Sequence, residues 1–312
     1  MGIEDNQQTQ EIIDPISETE VQRHIKALKT DKSPGPDNLT NETLKIGAPL
    51  LIPYLKLLFN EVVESEQVPD QWRLSQIILL YKKGNPLEVG NYRPISLLPS
   101  IYKLFSSILL SRIAPQIDKN QPIEQAGFRP NYSTNDHIHA VDQLIENTKN
   151  STNHSTLERK GEEFPIERGV KQGDPLSPKL FIAVLQDIFR NIDWADKGIL
   201  VLNERLTHLR FADDIAMFSE TATGLEQMFQ NLASESNKVG LEMNTSKTKI
   251  MTNSIETPIS IEGQNIEYVK EYIYLGKLTS FHSNRNENRS RQKSKFGMEK
   301  LLGTERNPQR RL

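Results

Sequence analysis

Apolar positions along the chain recur mostly at helical spacing. "SETEVQRHIKALK" places Ser17 and Glu20 in capping-box positions and then sets Val21, Ile25 and Leu28 on one face, which predicts a helix. "LLIPYLKLLFNEVVESEQVP" continues with a second helical pattern that has a proline near its start. "SIYKLFSSILLSRIAPQI" repeats apolar residues at Ile101, Leu104, Phe105, Ile108, Leu109 and Ile113, an amphipathic helix. Three more helices follow from "TNDHIHAVDQLIENTKN", from "SPKLFIAVLQDIFRNID" with Ser177 as N-cap, and from "GLEQMFQNLASESNKVG" with Gly240 as C-terminal cap. The apolar run in "QIILLYKKGN" reads as a strand end, and "ISIEGQNIEYV" and "EYIYLG" read as strands with a turn at Gly263. Residues 149–163 are polar and aperiodic, and no strand is expected there.

One stretch runs against this pattern. In "LTHLRFADDIAMFSE", Asp213 and Asp214 stand together among Leu209, Phe211, Ile215, Met217 and Phe218. Adjacent carboxylates in apolar company are costly unless a positive partner meets them. Strand neighbours point to opposite faces, so both can serve one ion only where the chain turns. A tight hairpin with the pair at its tip meets that need, and its natural ligand is a hard cation such as Mg²⁺.

Composition narrows the partners. The 312 residues carry 38 Lys+Arg and 41 Asp+Glu, so any binding of nucleic acid must come from local patches. One such patch is the tail from Arg285, where the basic residues outnumber the acids. With no cysteine in the chain, disulfides and thiolate chemistry are excluded. The polar, acidic start is not expected to be a targeting peptide, and no apolar run of membrane-spanning length is expected. Further candidates are Lys82, Lys83 and Arg93, cations able to clamp a triphosphate, and the glycine-containing loop "RGVKQGDPLSP" leading into a helix start.

Taken in order, "KSPGPD", "YRPISLLPSIYKLF", "QAGFRP", "RGVKQGDPLSP", "LRFADD", "GLEMNTSKTKIM" and "YLG" resemble the reverse transcriptase domain of non-LTR (LINE-type) retrotransposons, over about residues 15–282. The resemblance implies an α+β right-hand polymerase: N-terminal extension and fingers over 1–135, a helix and junction over 136–163, a palm with an antiparallel sheet over 164–276, and a basic tail with a thumb remnant over 277–312. It implies Mg²⁺, an RNA template, a DNA primer and deoxynucleoside triphosphates, no membrane, and a place in nucleus and cytoplasm. By position, Asp213 and Asp214 would be the catalytic, metal-binding pair. Lys82, Lys83, Arg93, Arg129, Gln172, Gly173, Lys247 and Lys249 would contact nucleotide or template, with Gly127 and Phe128 in the template-side segment. Tyr274, Leu275 and Gly276 would form the primer grip.

The chain departs from that family at one place. The family sets a third catalytic aspartate on a strand between "DHIHAVDQLIENTKN" and "RGVKQGDPLSP". Seventeen residues lie between those landmarks here, and none fits the motif. The nearest acids are Asp142, Glu146, Glu158, Glu162 and Glu163. The expectation is an internal deletion near Asn150 that removes a central palm strand, leaving an incomplete palm and no polymerisation by this chain. The alternative reading is a catalytically dead nucleic-acid-binding remnant or the product of a decayed element.

Overall fold

The computed structural model describes residues 14–81, 85, 87, 91–147, 154–157, 171–201 and 203–281. The chain divides into two compact units: residues 1–116 with 170–177, and residues 117–169 with 178–312. The first is discontinuous, because the segment carrying Gln172 and Gly173 belongs with the N-terminal part.

The first unit begins with α1 (Glu18–Ala27), α2 (Asn41–Ser65) and α3 (Asp70–Arg73). The strands β1 (Gln76–Tyr81) and β2 (Tyr92–Leu97) follow, and then α4 (Ser100–Lys119). The capping box of α1 is present: Glu20 N–H donates to Ser17 Oγ at 3.2 Å and Ser17 N–H donates to Glu20 Oε2 at 3.0 Å. Arg112 of α4 grips the same carboxylate with two nitrogens, at 2.9 and 2.8 Å, and this pair draws Glu20 down to about 2. The core packs Val21 and Ile25 against Phe59, Trp72, Leu104 and Phe105, with the Phe59 and Phe105 ring centroids 5.3 Å apart. In the ribbon of β1 and β2, Ile77 to Tyr81 stay exposed on both faces.

The expectation that no apolar run reaches membrane-span length is corrected by α2. By length and composition it is a helix that could cross a bilayer. Pro49 and Pro53 break the apolar run in the sequence, yet both sit on the exposed side, where water can serve the carbonyls they leave unbonded. Leu44, Ile52, Leu55, Phe59 and Val62 form its buried face.

The second unit contains α5 (Thr134–Asn147), β3 (His154–Leu157), α6 (Ser177–Arg190), β4 (Ile199–Val201), β5 (Glu204–Leu206), β6 (His208–Phe211) and β7 (Asp214–Ser219). It continues with α7 (Ala222–Lys238), β8 (Lys249–Thr252), β9 (Ser260–Ile261), β10 (Gln264–Asn265), β11 (Glu267–Tyr268), β12 (Glu271–Tyr274) and β13 (Lys277–Ser280). Its main sheet has the order β11-β8-β3-β7-β6. One face packs Ile215, Met217 and Ile250 with α7 and the apolar side of α6. The other packs Leu209, Ala216, Phe218 and Met251 with Val141, Leu144 and Tyr274.

Two expectations are corrected here. The first concerns the centre of the sheet, where β3 lies between β7 and β8 and pairs antiparallel with both. A central strand is present, and the inner edges of β7 and β8 are hydrogen-bonded to it. Four residues, "HSTL", are too few for periodicity to reveal a strand. The second concerns Ser177, which is the first residue of α6 rather than its cap, and its hydroxyl donates to Asp174 at 3.1 Å.

By contrast, Gly240 ends α7 as expected. At φ +76 it donates to Asn237 O, while Leu241 N–H donates to Ser236 O, the paired bonds of a Schellman motif.

Candidate functional site

The aspartate pair sits at a hairpin tip. β6 pairs antiparallel with β7, closing on Phe211 opposite Asp214, so Ala212 and Asp213 are the two turn residues. Ala212 has φ +57, a strained value for a residue with a Cβ, and it is buried. Both aspartates are half-buried. Strand alternation puts Asp214 on the same face as Ala216 and Phe218.

The turn is braced by the segment "QAGFRP". Its backbone runs parallel to β6: Arg210 N–H donates to Glu124 O at 2.8 Å, and Ala126 N–H donates to Arg210 O at 2.9 Å. The fully buried Gln125 turns its Oε1 to two backbone donors, Gly127 N–H at 2.8 Å and Ala212 N–H at 3.2 Å. Gly127 approaches so closely that a Cβ there would lie 2.3 Å from Ala212 N. Arg129 closes the segment on itself, donating to Pro122 O at 2.6 Å and Gln125 O at 2.9 Å, with its guanidinium 4.3 Å from the centre of the Tyr132 ring. Phe128, between these anchors, is exposed at φ +56.

Beneath the hairpin lies Arg210, fully buried on β6. Its Nη2 donates to Gln186 Oε1 at 2.8 Å, and its guanidinium stands 4.1 Å over the Phe189 ring. Nε and Nη1 have no hydrogen-bond partner among the described residues. Burial draws this group down to about 10. Two residues before it, His208 packs between the rings of Phe189 and Trp194, and burial with the nearby Arg210 charge draws it down to about 3.

The other candidates divide between the two units. Arg129, Lys247, Lys249, Tyr274, Leu275 and Gly276 share the second unit with Asp213 and Asp214, whereas Arg93, Gln172 and Gly173 belong to the first. Lys82 and Lys83 lie outside the described residues. Arg93 is exposed on β2, and three residues on, Ser96 N–H donates to Gln172 O at 2.9 Å. Lys249 is engaged with Glu267 at 2.7 Å, whereas Lys247 makes no ion pair among the described residues. Leu275 and Gly276, at φ +48 and +86, form the two-residue turn between β12 and β13. Tyr274 is 1% exposed, so it anchors that hairpin from within the core instead of presenting its ring at the surface.

Of the candidate third acids, Asp142 is paired with Lys277. The Glu146 side chain and Glu158, Glu162 and Glu163 lie outside the described residues. Among the described residues no group of three or more His, Asp or Glu side chains is arranged to hold a metal ion.

Sequence reasoning missed Gln125 and Arg210, and it also missed Asp174. The Asp174 carboxylate accepts from Ser106 Oγ at 2.5 Å, Tyr102 Oη at 3.2 Å and Leu176 N–H at 3.2 Å, as well as from Ser177. Burial first, and then the charge of Asp174, push the Tyr102 phenol up to about 12. The only signal for it in the sequence was its place between a glycine and a proline in "QGDP".

Residues 147–278 match the family model for reverse transcriptase (RNA-dependent DNA polymerase). The probable RNA-directed DNA polymerase from transposon BS of Drosophila melanogaster is 28% identical, over 85% of this chain and 36% of that protein. The RNA-directed DNA polymerase from mobile element jockey of the same organism is 25% identical, over 82% of this chain and 34% of that protein. The corresponding X-element protein is 38% identical over a shorter stretch, 43% of this chain and 15% of that protein. The chain thus spans little more than a third of the length of these relatives, or less. These matches make the chain similar to the RNA-directed DNA polymerases of transposons and mobile elements, with residues 147–278 matching the reverse transcriptase family model.

Proposed function

We propose that this chain has the right-hand core of an RNA-directed DNA polymerase, with fingers in the first unit and the palm in the second, and that it binds nucleic acid without extending a primer. The observation that carries the second half is the acid count at the hairpin. Asp213 and Asp214 are a fitting donor set for one Mg²⁺ ion, and among the described residues no third carboxylate joins them. In-line attack of a primer hydroxyl on an α-phosphate calls for charge neutralisation at both the attacking and the leaving oxygen, the work of two ions about 4 Å apart. The residues present do not fit a two-ion centre. β3 occupies the place in the sheet from which a third carboxylate could face the pair, but "HSTL" contains no acid.

The alignments support a shortened chain. The transposon BS match runs over 328 positions, while 85% of 312 residues is about 265, so about 60 positions have no residue here. RNA template, DNA primer and nucleoside triphosphates are the partners this reading assigns, with the exposed Arg93, the half-buried Lys247 and the tail from Arg285 as phosphate contacts. The test is restoration. Replacing residues 151–157, β3 included, with a strand-and-helix segment that carries the family's aspartate should yield synthesis on a primed RNA template. That synthesis should disappear when Asp213 and Asp214 both become Asn. If the restored chain stays silent although it is folded and binds the hybrid, the polymerase-core reading fails.

A further inference from the structure

Among the described residues, two polar atoms are buried without a hydrogen-bond partner on the sheet face that carries Asp214: the Tyr274 hydroxyl and His137 Nδ1. Tyr274 is 1% exposed and His137 4%. Tyr274 packs with Leu209, Ala216 and Phe218, and Ala216 and Phe218 follow Asp214 at i+2 and i+4 on β7. His137 stands one helical turn before Val141, a member of the same cluster, and its ring meets Phe211, the residue paired with Asp214. A buried hydroxyl with no partner is destabilising by about 1–3 kcal/mol, so an apolar ring would serve a purely packing role better. Phenylalanine has that shape without the penalty.

We propose that Tyr274 is a positioning residue for Asp214: its hydroxyl is the donor that orients this carboxylate toward a bound cation. One bridging water between them would satisfy the hydroxyl. His137, alongside Phe211, extends the polar lining of the same face. This role rests on the reading of Asp213 and Asp214 as an ion site, and it moves Tyr274 from the surface of a primer-contacting hairpin to the underside of that site. Groups that orient metal ligands in this way commonly change metal affinity by about 10- to 100-fold when removed.

The test uses the full chain with Tyr274→Phe, Asp214→Ala and the double variant, read by thermal unfolding and by Mn²⁺ titration followed with electron paramagnetic resonance. Tyr274→Phe should lower the melting temperature in the parent but not in the Asp214→Ala background. It should also weaken Mn²⁺ binding about tenfold while leaving the fold intact. A rise in melting temperature of the same size in both backgrounds, with Mn²⁺ affinity unchanged, would show that the hydroxyl is only a stranded core atom and would overturn the proposal. If the parent itself holds no Mn²⁺ that Asp213→Asn with Asp214→Asn removes, the ion-site reading fails by itself, and the thermal cycle still decides whether Tyr274 and Asp214 are coupled.

Discussion

Gln125 and Ala212, 87 positions apart in the chain, meet in one buried hydrogen bond: Gln125 Oε1 accepts the Ala212 N–H at 3.2 Å. The same oxygen holds Gly127 N–H, so one side chain fixes both the brace and the turn that presents Asp213. The strained φ of Ala212 is held by this contact from outside the hairpin.

Removing that oxygen should be costly. Gln125→Met keeps the length of the side chain but leaves two buried N–H groups unpaired, a penalty of about 1–3 kcal/mol each. A fall in melting temperature of several degrees is expected, and Gly127→Ala should cause a comparable fall, because its Cβ would meet backbone at 2.3 Å. Melting curves that match the parent for both variants would show that the brace does not support the turn.

Arg210 should behave in the opposite way. A fully buried guanidinium with two nitrogens unpaired among the described residues is a poor contributor to stability, and exchanging such a charge for an apolar group of similar volume is often neutral or stabilising. Arg210→Met is therefore expected to melt at or above the parent temperature, while Arg210→Ala, which opens a cavity against Phe189, should lose about 2–4 kcal/mol. Equal losses in the two variants would mean that the charge itself is needed.

His208 makes the chain sensitive to mild acid. Its folded value of about 3 lies below the ordinary 6.5, so between these values the unfolded chain binds a proton that the folded one refuses. Stability should be flat above pH 6.5 and should fall as pH drops from there toward 3, by on the order of a few kcal/mol in all. Glu20 also loses stabilisation in acid, but only below the ordinary carboxylate range. Denaturant midpoints at pH 7 and pH 5 should therefore differ less in His208→Gln than in the parent. An equal difference in both proteins would assign the acid sensitivity elsewhere.

Nucleic-acid binding should be weak, independent of sequence and steep in salt. The tail over 285–312 carries nine Lys/Arg against three acids, in a chain whose net charge is −3. Neutralising phosphates releases counterions, so affinity for an RNA–DNA hybrid should drop as salt rises, and deleting 285–312 should both weaken binding and flatten the slope. Affinity that does not change between low and high salt would remove the electrostatic account.

The features legible in the sequence were those written in local chemistry. Paired carboxylates among apolar residues announced the hairpin tip, Ser17 with Glu20 announced a helix start, and Gly240 announced a helix end. What stayed hidden depends on partners far along the chain. Gln125 is an ordinary polar residue until Ala212 meets it, and Arg210 looks like a surface cation until Phe189 and Gln186 enclose it. β3 is held by two neighbours that supply its hydrogen bonds, so its own four residues need show no strand pattern. In α2, the prolines masked one long helix because their exposure to water appears only once the helix is packed.

Primer extension by the unmodified chain, on a primed RNA template with Mg²⁺ or Mn²⁺, tests the central claim most directly. With one acidic pair and, among the described residues, no third carboxylate beside it, synthesis should be undetectable, and changing Asp213 and Asp214 together to Asn should alter nothing. Clear synthesis that is abolished by Asp213→Asn would contradict this account and show that another acid completes the centre. Glu158, next in sequence after β3, would then be the first to replace, followed by Glu146 and by Asp142, which would have to leave Lys277.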